Sequence, residues 1–142
     1  MDDWIELSAA PLSTADAVRF VTSAAAGGIS SFLGTTRQET SADGRELIAL
    51  DYEAYAEMAI EQMRALAARA RERWPIVALA LLHRTGRVAL GEPSVVIAVA
   101  SPHRAEAFDA CRWLIDTLKS EVAVWKKEVW SDGSTTWVGQ TT

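Results

Sequence analysis

The segment Ile76 to His83 reads Ile-Val-Ala-Leu-Ala-Leu-Leu-His, and it constrains the fold of this chain more than any other. Eight residues fall far short of the roughly 18–20 that cross a bilayer. As a strand without polar alternation, the segment must be covered on both faces. Ser94 to Ala100 is a second apolar strand. The periodicity of the chain also offers three helices. Ser13-Thr14-Ala15-Asp16 resembles a capping box and opens a helix to about Ala25, which Gly27-Gly28 stop. Glu57 to Arg73 carries an apolar stripe of Ile60, Met63, Leu66, Ala67 and Ala70, ended by Trp74-Pro75. Ser101-Pro102 starts the third helix as cap and first turn, with Phe108, Cys111, Leu114, Ile115 and Leu118 inward.

Further strands are expected at Asp3–Ser8, Ile29–Arg37, Leu47–Tyr55, Val122–Trp130 and Thr135–Gly139, with a short one between Gly86 and Gly91. Gly34 inside a strand marks a bulge or a close approach. Asp43-Gly44 and Asp132-Gly133 are hairpin turns. Strands and helices are interspersed but joined by hairpins, so the expected class is α+β with mixed or antiparallel sheets and a C-terminal hairpin. Residues 1–142 read as one domain, without repeat or linker.

Composition removes several functions. The single Cys111 allows no internal disulfide, and with two histidines no four-ligand Cys/His zinc site can be assembled. No metal or cofactor site is expected. Cys111 lies on an apolar helix stripe, where a thiol is ordinarily inert. A net charge of −5 makes the chain a poor nonspecific nucleic-acid binder. No apolar run reaches membrane length, and the start Met1-Asp2-Asp3-Trp4 is acidic where a secretion signal is basic. The expected location is the cytoplasm.

Positive charge is distributed unevenly. Of the 14 basic residues, three lie in residues 1–60 and eleven in residues 61–142. Eleven are Arg; the three Lys (Lys119, Lys126 and Lys127) fall within nine residues. This cluster is either a solvated face or a place that needs a compact charge whose proton can be tuned and moved. Ser101-Pro102-His103-Arg104 combines free helix-start N–H groups with an imidazole and a guanidinium, an anion receptor. The bland reading makes His103 a cap and Arg104 a solvated first-turn residue. His83-Arg84 read as strand-end residues leading into the Gly86 turn. Asp51 and Glu53 share a strand face, most simply a solvated one. Lys126 lies on the face of Val124 and Glu128, and Lys127 on that of Trp125 and Val129. Only one of the two lysines can enter a given pocket, and spacing alone does not choose.

Phe32-Leu33-Gly34-Thr35-Thr36-Arg37, Leu50-Asp51-Tyr52-Glu53-Ala54-Tyr55 followed by Met58-Ala59, and His83-Arg84-Thr85-Gly86 form an ordered set. It continues through Gly91-Glu92-Pro93-Ser94-Val95, Ser101 to Phe108, and Val124-Trp125-Lys126-Lys127-Glu128. In order and spacing the set resembles the large, catalytic subunit family of molybdopterin synthase, from about residue 4 to 138. Thr36 stands where that family usually has Val, and Ala123 where Pro is common; neither change removes a functional group.

The resemblance implies an α/β hammerhead-like fold and a sulfurtransferase. It converts cyclic pyranopterin monophosphate to molybdopterin by installing two sulfurs as a dithiolene. The sulfur is delivered by the C-terminal glycine thiocarboxylate of a small ubiquitin-like subunit. The implied assembly is a homodimer of large subunits within a heterotetramer. Matching positions make Lys119 and Lys126 catalytic and place Thr35, Thr36, Arg37, His103, Arg104, Lys127 and Glu128 at the substrate. The chemistry fits: Arg holds phosphate, Lys moves protons as sulfur replaces oxygen, and no cofactor is required. The competing reading is a non-catalytic anion-binding, partner-docking scaffold of the same fold. A phosphotransferase would want metal-binding carboxylates beside the cations, a pattern the sequence lacks. One straight helix from Arg104 to Lys119 would separate their backbones by roughly 22 Å. A symmetric dimer is therefore expected, in which one chain's Arg37, Lys119 and Lys126 face the other's His103 and Arg104.

Overall fold

The computed structural model describes residues 2–138. In chain order the elements are β1 (Asp2–Ser8), α1 (Thr14–Val21), β2 (Gly28–Thr35), β3 (Leu47–Ala54), α2 (Ala56–Arg73) and β4 (Ala78–Arg84). They continue with β5 (Gly86–Ala89), β6 (Pro93–Ser101), α3 (Arg104–Glu121), β7 (Val124–Trp130) and β8 (Thr135–Trp137). The expected Gly139 end of the last strand lies outside the described residues. Two four-stranded sheets form, ordered β1-β4-β6-β2 and β5-β3-β7-β8. In the first, β1 runs parallel to β4 and the other pairings are antiparallel; the second is wholly antiparallel. The class is α+β, as the interspersed pattern predicts.

β4 and β6 occupy the centre of the first sheet, and every residue of β4 is buried. Alternation sorts their side chains between two cores. Leu79, Leu81, Val95, Ile97 and Val99 pack under α2 and α3 against Met63, Leu66, Leu114 and Leu118. Ala78, Ala80, Ala98 and Ala100 face the other way, where small side chains let α1 approach through Ala17 and Val21. The alternation carries past the core: His83 continues the Leu79–Leu81 face and Arg84 the opposite one.

α1 stops at Val21, one turn before the expected end. Thr22 is already extended (φ −63°, ψ 127°), and its hydroxyl donates to the carbonyl of Val18 at 2.6 Å. Gly27 and Gly28 therefore end no helix; they admit another element. A Cβ on Gly27 would sit 2.4 Å from the carbonyl oxygen of Pro102, and one on Gly28 3.0 Å from Cα of Arg104. The start of α3 is seated directly on this glycine pair. Gly27→Ala is expected to cost about 1–3 kcal/mol by forcing two backbones apart, and thermal unfolding several degrees lower checks it.

Two expectations for α3 are corrected. Ser101 remains the last residue of β6, its hydroxyl donating to the carbonyl of His103 at 2.8 Å. The N-cap is the extended His103, without a side-chain cap bond, and the helix begins at Arg104. Phe108 is 61% exposed rather than inward. It lies beside β2, the edge of the sheet, beyond which no strand covers it.

Candidate active site

The pairing of β3 with β7 shows which of Lys126 and Lys127 faces a cavity. Ala54 faces Val124, Tyr52 faces Lys126 and Leu50 faces Glu128. These partners share one side of the sheet, and all but Ala54 line a cavity of about 590 Å³. The side chains between them point the other way. Lys127 pairs with Asp51, and its ammonium sits 5.1 Å from the ring centre of Trp137. On that same outer side Asp51 takes two bonds from Arg87, at 2.9 and 3.1 Å, which hold its carboxyl below its ordinary value. The Asp51 face is thus a solvated, ion-paired one. Lys127 does not reach the cavity.

Three more elements complete the cavity. The last turn of α3 contributes Lys119, above Ile115 and Leu118. The end of β2 contributes Gly34 and Thr35, followed by Arg37 and Glu39, whose side chains lie 3.3 Å apart. The register of β2 with β6 slips between Gly34 and Thr35, and a Cβ on Gly34 would meet Cγ1 of Val95 at 2.6 Å. The glycine thus permits both a bulge and a close approach, and the strand turns toward the cavity there. β4 and β6 contribute His83 and Ser94.

Burial and the positive charge of Lys119 push the Lys126 ammonium below its ordinary value; Arg37 acts in the same sense, and Glu128 and Glu39 oppose it. Lys126 therefore reaches its neutral amine more readily than an ordinary lysine does. Burial also lowers His83 and raises Tyr52 and Cys111. A raised thiol is a poor nucleophile, so Cys111 has the chemistry of a core residue.

Of the residues singled out from the sequence, Thr35, Arg37, Lys119, Lys126 and Glu128 converge on the cavity. His103 and Arg104 do not: α3 runs unbroken from Arg104 to Glu121, which keeps them a full helix length from Lys119. Thr36 is turned inward, only 4% exposed, and its hydroxyl has no hydrogen-bond partner. An unpaired buried hydroxyl costs about 1–3 kcal/mol. Thr36→Val is accordingly expected to raise the unfolding temperature by a few degrees, a change that calorimetry reads directly. The sequence reading missed Tyr52, Ser94 and Glu39, and took His83 for a strand-end residue. Tyr52 shares an alternation class with Leu50, which was a usable signal, but its neighbour Lys126 is visible only once the strand register is known. Among the described residues no group of three or more His, Cys, Asp or Glu could hold a metal ion, and no helix is long and apolar enough to cross a membrane.

The family model described as MoaE protein matches residues 7–121. The molybdopterin synthase catalytic subunit of Nostoc sp. is 41% identical over 139 residues, spanning 97% of this chain and 83% of that one. The crystal structure of molybdopterin synthase from Staphylococcus aureus superposes with a TM-score of 0.85 at 32% identity, over 97% of this chain and 96% of that chain. A chain in the complex of subunits 1 and 2 of the molybdopterin-converting factor from Helicobacter pylori shares the fold, with a TM-score of 0.78 at 17% identity, over 94% and 89%. By a family model over most of its length and a close relative over nearly all of it, this chain belongs to the MoaE family of molybdopterin synthase catalytic subunits, which are sulfurtransferases.

Proposed function

We propose that the cavity transfers sulfur from the C-terminal glycine thiocarboxylate of a small ubiquitin-like subunit to cyclic pyranopterin monophosphate, twice, to give the dithiolene of molybdopterin. The observation that carries this is the convergence of Arg37, Lys119 and Lys126 on one cavity with apolar walls. Substrate and donor are both anions, and three cations in one place match them. Arg37 suits the phosphate, as a planar guanidinium binds two oxygens at once. Lys126, with its readily lost proton, and Lys119 are assigned proton transfer as sulfur replaces oxygen. Thr35 and Glu128 border the substrate. Thr36 and Lys127 stand outside this contact set. No cofactor enters the scheme, and the whole chain acts as one domain in the cytoplasm.

His103 and Arg104 join through a second copy of the chain. β2 is an edge strand, with Ile29 and Leu33 41% and 39% exposed. Antiparallel pairing of β2 with its own copy about a two-fold axis would lay the Gly28 end of one strand beside the Thr35 end of the other. Arg104 packs on Gly28, so this pairing brings Arg104 of each copy toward Arg37 and Lys119 of its neighbour. The small-subunit partner, which would complete a heterotetramer, is supported by the two-subunit complex of the Helicobacter protein.

The decisive experiment mixes the purified protein with the thiocarboxylated small subunit and cyclic pyranopterin monophosphate, and looks for dithiolene product. Folded protein that binds both and makes none would be the non-catalytic scaffold instead.

A further inference from the structure

The part of the cavity wall built by β3, β4 and β6 carries polar groups that the lysine chemistry leaves unused. Ser94 donates its hydroxyl proton to the carbonyl of Gly34 at 3.2 Å. Serine has only that one proton, so toward the phenol of Tyr52 beside it Ser94 can only accept. His83 is fixed in the same way. Its Nδ1 lies 2.8 Å from the carbonyl oxygen of Arg84, so Nδ1 carries the proton and Nε2 is a lone pair. The two rings lock each other edge to face, with centroids 5.1 Å apart and planes at 72°. Burial keeps the imidazole neutral and the phenol protonated. Both residues line the cavity, and both offer it lone pairs without a proton.

We propose that Tyr52 and His83 form an acceptor-only wall that receives the backbone N–H groups of an extended glycine terminus, that of the sulfur carrier; the inference rests on the sulfur-transfer reading above. A peptide end drawn out of water into the cavity must find an acceptor for each N–H it buries. Leu50, Val95, Leu118 and Val124 supply none, and Arg37, Lys119 and Lys126 are donors only. The acceptors Glu39 and Glu128 stand with the cations, Glu39 3.3 Å from Arg37 and Glu128 on the Lys126 side of β7. The cations therefore match the terminal anion, and the Tyr52–His83 wall matches the amides behind it. Glycine has no Cβ, so its backbone can lie directly against two aromatic rings. Both rings are specificity-determining residues for the carrier, distinct from the lysines that carry the chemistry.

The test is calorimetric binding of the small subunit in three forms: native, shortened by its last two residues, and carrying an ester in place of its last amide, which deletes one N–H. Wild-type protein is expected to bind the ester form about five- to tenfold more weakly than the native one. His83→Phe should bind the native form about as weakly, with the ester adding no further loss because both changes delete the same bond, whereas Tyr52→Phe deletes a different bond and its loss should add to the ester's. In the unaltered protein the ¹⁵N shift of His83 Nε2 should move with the native form and stay put with the ester form, which removes any dependence on how the variants fold. Equal binding of ester and amide, or losses from the ester and His83→Phe that simply add, overturns the proposal while leaving sulfur transfer in place. Native and shortened forms that bind and react alike overturn both. If Tyr52→Phe instead weakens binding of cyclic pyranopterin monophosphate while the ester changes nothing, the wall reads the substrate ring and the proposal falls.

Discussion

Lys126→Ala is expected to slow sulfur transfer by about 10²–10⁴-fold, the usual loss of a positioned proton-transfer or charge-stabilising group. Lys127→Ala, one residue away, should change it by less than about threefold, as expected of a solvated surface cation. The difference follows from the strand. Lys126 shares its side of β7 with Val124 and Glu128 and faces the cavity; Lys127 lies over Trp137 on the other side, opposite Asp51. Single-turnover rates at saturating carrier and substrate measure both. Near-equal losses would overturn the assignment. The pH dependence adds a sign. Burial and Lys119 depress the Lys126 ammonium and Glu128 opposes them, so a step that needs the neutral amine rises with pH through a midpoint below that of an ordinary lysine. Glu128→Gln removes the opposing charge and should move that midpoint lower still.

Mixing two inactive variants, Lys119→Ala and Arg104→Ala, should restore activity once subunits exchange. α3 holds the two residues about 22 Å apart along its axis, at 1.5 Å per residue. A small phosphate-bearing ring cannot be reached from both ends of that helix within one chain. Across a two-fold axis it can, because the other chain's α3 runs in the opposite sense. Each mixed dimer would then hold one doubly altered pocket and one intact pocket, and random exchange would leave about a quarter of all pockets wild type. Each variant alone should lose about 10²–10⁴ in rate, so recovery stands far above background. Verified exchange without recovery would rule out the shared pocket.

Much of the fold was legible because it follows from burial, which the sequence encodes locally. The apolar run from Ile76 demanded a central strand covered twice, and β4 is that strand, with helices on both faces. The α2 stripe and the two Asp-Gly turns likewise state their own period and dihedral needs; Gly44 and Gly133 do adopt positive φ, 89° and 85°. The errors arose where a residue's role depended on a distant segment. Gly27-Gly28 looked like a helix stop and are a seat for α3, a contact with residues more than seventy positions away. Phe108 matched the helical stripe and lies exposed, because only the sheet order shows that its neighbour β2 is an edge.

The site divides along the same line. Residue type alone, through three clustered lysines in an arginine-using chain, pointed to the place where charge chemistry is needed. Alternation showed that Lys126 and Lys127 face apart, since successive side chains on a strand point to opposite sides. It could not say which side faces a cavity, because a strand's two faces are equivalent until another layer covers one of them. The pairing of Tyr52 with Lys126, and the closure of α3, β4 and β6 over that face, made the decision. The same closure buried His83 beside Tyr52 and turned a strand-end histidine into part of the cavity wall.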